Sequence, residues 1–170
     1  MKKMTLLLVC LFGMLTVHAQ RFAFIDMEYI MENIPDYQKA NEELNLLSQQ
    51  YQKVIEAKVK EAETLYKAYQ KNAGSLNSSQ RTQKEEAIVA KEKEVAELRK
   101  KYFGPEGEMT QRQETLIAPI QDKVYEAVKQ ISLQKGYDAV IDRASATSII
   151  FASPRIDISN DILFILGYSK

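Results

Sequence analysis

The sequence predicts an α+β chain: its two ends build a small β-rich body, and its middle builds a long, protruding, antiparallel helical hairpin of coiled-coil type. Three observations predict it. Tyr37 to Asn72 runs without glycine or proline. From there to the turn, apolar residues recur at Leu44, Leu47, Tyr51, Ile55, Val59, Ala62, Tyr66, Tyr69, Ala73 and Leu76, in the steps of three and four that belong to a helix. The polar stretch Gly74-Ser75-Leu76-Asn77-Ser78-Ser79 then returns the chain. Short apolar runs of strand type, Phe22 to Asp26, Tyr137 to Asp142 and Thr147 to Ala152, fall only towards the two ends.

A helix of that length spans roughly 55 Å, at 1.5 Å per residue. Its seam is narrow, so it needs a partner helix. The return leg offers one in Ile88, Val95, Leu98 and Tyr102. A single register sets Tyr51 by Tyr102, Ile55 by Leu98, Val59 by Val95 and Tyr66 by Ile88.

The elements follow in order. Residues 1–19 read as a leader: basic Lys2-Lys3, an apolar stretch from Leu6 to Val17, and a small-residue cleavage point between Ala19 and Gln20. Lipoprotein processing at Cys10 is the alternative. It is not preferred, because apolar sequence continues well past that residue. Residues 20–35 supply the first strand and a short helix from Met27. Pro35 opens the descending helix, and the hairpin arm occupies 36–116, with its tip near 74–79.

Phe103-Gly104-Pro105-Glu106-Gly107 breaks the return leg, since two glycines around a proline interrupt a regular helix. Gly104, Pro105 and Gly107 are read as a hinge; the Lys and Ser/Thr of a phosphate-binding loop are missing. Residues 117–170 give a helix from Ile117 to Lys135 with Pro119 inside, a Gly136 stop, two strands, and a closing helix with Ser159 as N-cap. Three short strands are too little sheet to close a core, so a homo-oligomer built through the body is expected.

Composition narrows the function. Cys10 and His18 are the only cysteine and the only histidine, and both lie in the leader. The processed chain then has no thiol nucleophile, imidazole base or soft metal ligand. Losing Lys2 and Lys3 turns 23 basic against 23 acidic residues into 21 against 23. That near-neutral balance does not suit a nucleic-acid binder. Neither an enzyme, a cofactor nor a small-molecule substrate is expected.

Phe22-Ala23-Phe24-Ile25-Asp26-Met27 with Tyr29-Ile30-Met31, then Ile120-Gln121-Asp122-Lys123-Val124, Gly136 to Asp142, and Asp157-Ile158-Ser159 resemble the OmpH/Skp-like periplasmic chaperones in order and spacing. The resemblance covers essentially the whole processed chain. It implies a homotrimer in the periplasm of a Gram-negative cell, with helical arms around a cavity that shelters unfolded outer-membrane proteins. It also implies no nucleotide and no metal; membrane contact is left open. Holding of this kind works through many weak contacts to a disordered chain.

On that reading the off-seam apolar residues Leu46, Val54, Leu65, Ala68 and Phe103 are candidate client contacts, or else they widen the seam. Phe22, Phe24, Ile25, Val140, Ile141, Ile149, Ile150 and Phe151 are body core or trimer interface, undivided between the two. Asp26 and Asp142 read as strand-end carboxylates that bond turns rather than as an acid–base pair. A structural or adaptor protein using the hairpin as a spacer in an envelope assembly is the competing reading.

Overall fold

The stretch without glycine or proline is a single helix. The computed structural model describes residues 20–146 and 148–168. The leader expected at 1–19, including Ala19, and the strand residue Thr147 lie outside them. In chain order the elements are β1 (Phe22–Ile25), α1 (Met27–Glu32), α2 (Pro35–Asn72), α3 (Ser78–Phe103), α4 (Glu108–Lys135), β2 (Ala139–Asp142) and α5 (Ser159–Ile165). Short 3-10 turns stand at Ala73–Ser75 and Pro154–Ile156. The chain divides into two compact units, one drawn from Met1–Ile30 with Tyr125–Lys170 and the other from Met31–Val124.

In the first unit β1 and β2 pair in parallel, Phe22 opposite Ala139 through Ile25 opposite Asp142. Parallel neighbours need a long crossover, and here the crossover contains the whole hairpin. The ladder is extended at both ends, by the Asp138 amide on the Arg21 carbonyl and the Arg143 amide on the Ile25 carbonyl, each 2.8 Å. The other edge of β1 is met at Asp157, with the Ile158 amide 2.8 Å from the Phe24 carbonyl.

Alternation along β1 sends Ala23 and Ile25 inward. Ile30, Ala127, Ile131, Ile158, Ile162 and Leu163 are also buried in this unit. Gly136 ends α4 in the left-handed region, φ 66°, as its position in the sequence predicts. The Tyr137 amide reaches back 3.0 Å to the Ser132 carbonyl, closing a Schellman-type stop.

Two expectations for this unit are corrected. The third strand is absent among the described residues of 147–152: they form turn and irregular backbone, with Ile150 100 % exposed and Phe151 81 % exposed. β-branched and aromatic residues favour a strand only where a ladder partner exists, and within this chain the second edge of β1 is taken by Asp157. Ser159 is the first residue of α5 and not its cap. Asp157 accepts both its amide, at 2.9 Å, and its hydroxyl, at 2.6 Å, and the Ser159 hydroxyl oxygen in turn accepts the Asp26 amide at 2.9 Å.

In the second unit, α2 and α3 form the expected antiparallel pair. Tyr51 and Tyr102 stack with ring centroids 4.0 Å apart and planes 5° from parallel, which fixes the register directly. Ile55, Ala62, Ile88 and Val95 are buried along the seam. Leu44, Leu47, Val59, Tyr69, Ala73, Leu76 and Leu98 are half-buried.

Tyr66 departs from the seam and stands 50 % exposed. Tyr66 lines a groove with Val59, Val95, Glu92 and Arg99.

The return is closed by a capping box. Asn77 accepts the Gln80 amide at 2.9 Å, and Gln80 accepts the Asn77 amide at 3.1 Å. The helix after the break begins at Glu108, nine residues before the apolar periodicity from Ile117 announces it, and it runs through Pro119 without interruption.

Candidate functional site

The apolar residues off the seam are the first place to look for binding. Leu46 is 61 % exposed and lines an open groove of about 620 Å³ with Leu47, Tyr51, Arg112 and Thr115. Val54 and Phe103 are each about two-fifths exposed. Ala68 is exposed and Leu65 half-buried, and both line a second groove near the tip with Tyr69, Leu76 and Ala87. Thus Leu65 and Ala68 are brought together, while Leu46 and Phe103 both lie beside Tyr51 and Val54 is exposed on α2. Tyr66 and Val89 are exposed too. The sequence reading missed both: Tyr66 falls in phase with the seam, and Val89 sits beside the seam residue Ile88.

Charges of both signs separate these positions. Midway along the hairpin Lys58 pairs with Glu61 and Glu94 at 3.2 Å each, and Lys91 pairs with the same two at 3.0 and 2.7 Å. This closed quartet crosses from α2 to α3. Hydrogen bonds from Lys91 and then Lys58 hold the Glu61 and Glu94 carboxyls below their ordinary range. The same bonds hold both lysines above theirs, led by Glu61 for Lys58 and by Glu94 for Lys91. Lys91 and Glu94 of α3 thus bind the two legs of the hairpin to each other.

The Gly-Pro-Gly break is tightly built. Gly104 has extended backbone, φ −67° and ψ 168°, as a residue before proline must. Its amide caps α3 by donating to the Lys100 carbonyl at 2.9 Å. A Cβ at Gly104 would sit 2.3 Å from that oxygen, and one at Gly107 would sit 2.8 Å from the Gly104 nitrogen.

Tyr51, from α2, spans the break. Its ring stacks on Tyr102, its edge meets Phe103 with planes at 87°, and its hydroxyl donates to Glu108 at 2.5 Å. The bond to Glu108, followed by burial, pushes the Tyr51 hydroxyl up to about 12. The same bond draws the Glu108 carboxyl down, aided by Lys101 at 3.3 Å. One turn further along α4, Arg112 pairs with Glu43 through Nε at 2.9 Å.

The strand-end carboxylates bond turns. Asp26 accepts the Tyr29 amide at 2.9 Å, capping α1, and pairs with Arg143 at 3.0 Å. Asp142 accepts the Met27 and Ala144 amides, each at 3.1 Å. Among the described residues no group of His, Cys, Asp or Glu is placed to hold a metal ion, and no helix is long and apolar enough to cross a membrane. Of the eight body candidates, Ile25 is buried and Phe24, Val140, Ile141 and Ile149 are half-buried. Phe22, Ile150 and Phe151 are exposed in the single chain.

The architecture is a two-stranded parallel sheet made by the chain ends, with a broken helical hairpin in its crossover. The family model described as "Outer membrane protein (OmpH-like)" matches residues 21–166, and the chain belongs to that family. It is 23% identical over 148 residues to the chaperone protein Skp of Yersinia enterocolitica, covering 87% of each chain. A solved OmpH-like structure from Caulobacter crescentus superposes with a TM-score of 0.64 at 11% identity, over 87% of this chain and 84% of that one. The family is one of chaperones.

Proposed function

We propose that this chain is an ATP-independent holdase, without catalytic activity, that keeps unfolded outer-membrane proteins from aggregating in the periplasm. The observation that carries the reading is the pattern of exposed apolar residues on the hairpin. Leu46, Val54, Tyr66, Val89 and Phe103 are exposed on a hairpin that carries charges of both signs, and Leu46 lines an open groove. Such a surface suits a disordered client that makes many weak contacts, and it does not suit a folded partner or a small molecule.

Residues 1–19 act as the export leader, cleaved between Ala19 and Gln20. The processed chain assembles as a homotrimer, with a client cavity between helical arms and with Ile150, Phe151 and Phe22 covered by sister copies. Gly104, Pro105 and Gly107 form the hinge of each arm.

The test is dilution of a urea-denatured outer-membrane porin into buffer with and without the purified protein, followed by light scattering. Suppressed scattering without nucleotide is expected, and weaker suppression by the Leu46→Asp, Val54→Asp, Val89→Asp triple variant. Undiminished aggregation together with capture of a folded envelope protein would favour the spacer reading instead.

A further inference from the structure

Tyr51 stands where α2 changes partner. Towards the tip, α2 packs on α3 through the buried seam and the charge quartet. On the other side of Tyr51, Glu43 of the same helix binds Arg112 of α4. Between α3 and α4 the break has short-range bonds of its own, and Lys101 of α3 pairs with Glu108 of α4 at 3.3 Å. Gly107 donates to the Gly104 carbonyl at 2.9 Å, the Thr110 hydroxyl reaches the same carbonyl at 3.3 Å, and the Gln111 side chain reaches the Glu106 carbonyl at 3.0 Å. The tyrosine adds to these, with its ring on the last turn of α3 and its hydroxyl on the first turn of α4.

We propose that Tyr51 is a latch on the hairpin: while its hydroxyl is bonded to Glu108 the bend at Gly104–Gly107 is fixed, and when that bond opens α3 pivots against α4 with the tyrosine pair still stacked. The two contacts of one residue differ in kind. Ring stacking is short-ranged but tolerates sliding, whereas the hydroxyl bond is directional and is lost once its partners separate by about an ångström. Tyr51 is half-buried and the Glu108 side chain is 39% exposed, so water or a competing donor can reach the bond.

The charged groups around it are set for a closed resting state. Lys101 of α3 holds the other Glu108 oxygen, and Tyr102 of α3 lies against the ring. Arg112 of α4 is neutralised by Glu43 of α2, which leaves Glu108 to Tyr51. A competing donor that takes Glu108 from Tyr51 opens the latch.

The test reads the pivot alone and needs no client, so its failure leaves the holding reading standing. Cys10 is the chain's only cysteine, so Cys10→Ser gives a thiol-free background. Nitroxides at Lys93→Cys and Glu114→Cys sit on either side of the break, and dilution with unlabelled chain restricts electron–electron distance measurements to one hairpin. The unaltered joint is expected to give one narrow distance. Tyr51→Phe, which keeps the stack and loses the hydroxyl, and Glu108→Ala should each add a second population at unchanged helical circular dichroism. Glu108→Gln retains an acceptor and should stay narrow. An unaltered distribution in Tyr51→Phe overturns the latch. So does broadening accompanied by loss of helix, or equal broadening in Glu108→Gln and Glu108→Ala.

Discussion

Placing a single methyl group at Gly104 is the sharpest probe of the broken helix. The backbone there is extended, φ −67° and ψ 168°, a conformation alanine adopts freely, so intrinsic preference predicts no penalty. The contact geometry predicts a large one. The new Cβ would lie 2.3 Å from the Lys100 carbonyl oxygen, which is backbone and has no side-chain freedom to yield. Relief requires both giving up the Gly104 amide bond to that same carbonyl, worth about 1 kcal/mol, and holding strained dihedrals at about 1–3 kcal/mol. Together these give a loss of about 2–4 kcal/mol.

For a chain of this size that corresponds to a fall in melting temperature of about 5–15 °C. Gly74→Ala is the matched control. It sits in the 3-10 turn at the tip, and its Cβ meets nothing within 4 Å. Restricting the unfolded chain should leave it neutral or stabilised by about 0.4–1 kcal/mol. Thermal unfolding followed by circular dichroism reads both. A Gly104→Ala melting temperature equal to that of the unaltered protein would falsify the steric argument, and so would equal losses in the two variants.

Two further outcomes follow from the charges on the hairpin. Glu61 and Glu94 have lowered folded values, so their share of stability is complete above the ordinary 4.5 and drains as pH falls through the folded values; Lys58 and Lys91 are raised, so theirs is complete below 10.5 and drains as pH rises beyond it. Melting temperature against pH should therefore show a plateau between those limits, and Lys91→Gln should flatten both shoulders; shoulders that persist unchanged in the variant would rule the quartet out as their source. Tyr51 is raised to about 12, so in an ultraviolet titration it should ionise after the bulk of the tyrosines, and Tyr51→Phe should remove that late step; a late step that survives the substitution would assign it to another ring, of which Tyr69, raised by its bond to Glu85, is the first to consider.

The hairpin was legible because its information is periodic. A helical seam on each leg and a polar turn between them leave one register, and the Tyr51–Tyr102 stack occupies it. The start of α4 was illegible for the opposite reason: Glu108 to Glu114 holds a single apolar residue, Met109, so nothing in it repeats at helical spacing. Ile149-Ile150-Phe151 misled because strand-type residues report a preference for pairing and not the presence of a partner.

At the candidate surface, off-seam position identified Leu46, Val54, Ala68 and Phe103 as exposed. It did not identify Tyr66, which falls in phase with the seam and is nonetheless half exposed. The bond from Tyr51 to Glu108 joins residues 57 apart in sequence across three helices and has no local signature.

The most direct test of the assembly behind the proposed function is the mass of the processed protein in solution, by light scattering across a dilution series. Ile150 and Phe151 stand bare on the single chain, and a surface of that kind is expected to be covered by sister copies. A mass three times that of the processed chain, falling when Ile150→Asp and Phe151→Asp are introduced together, is the predicted result. A stable lone chain that stays soluble with those side chains in water would contradict it.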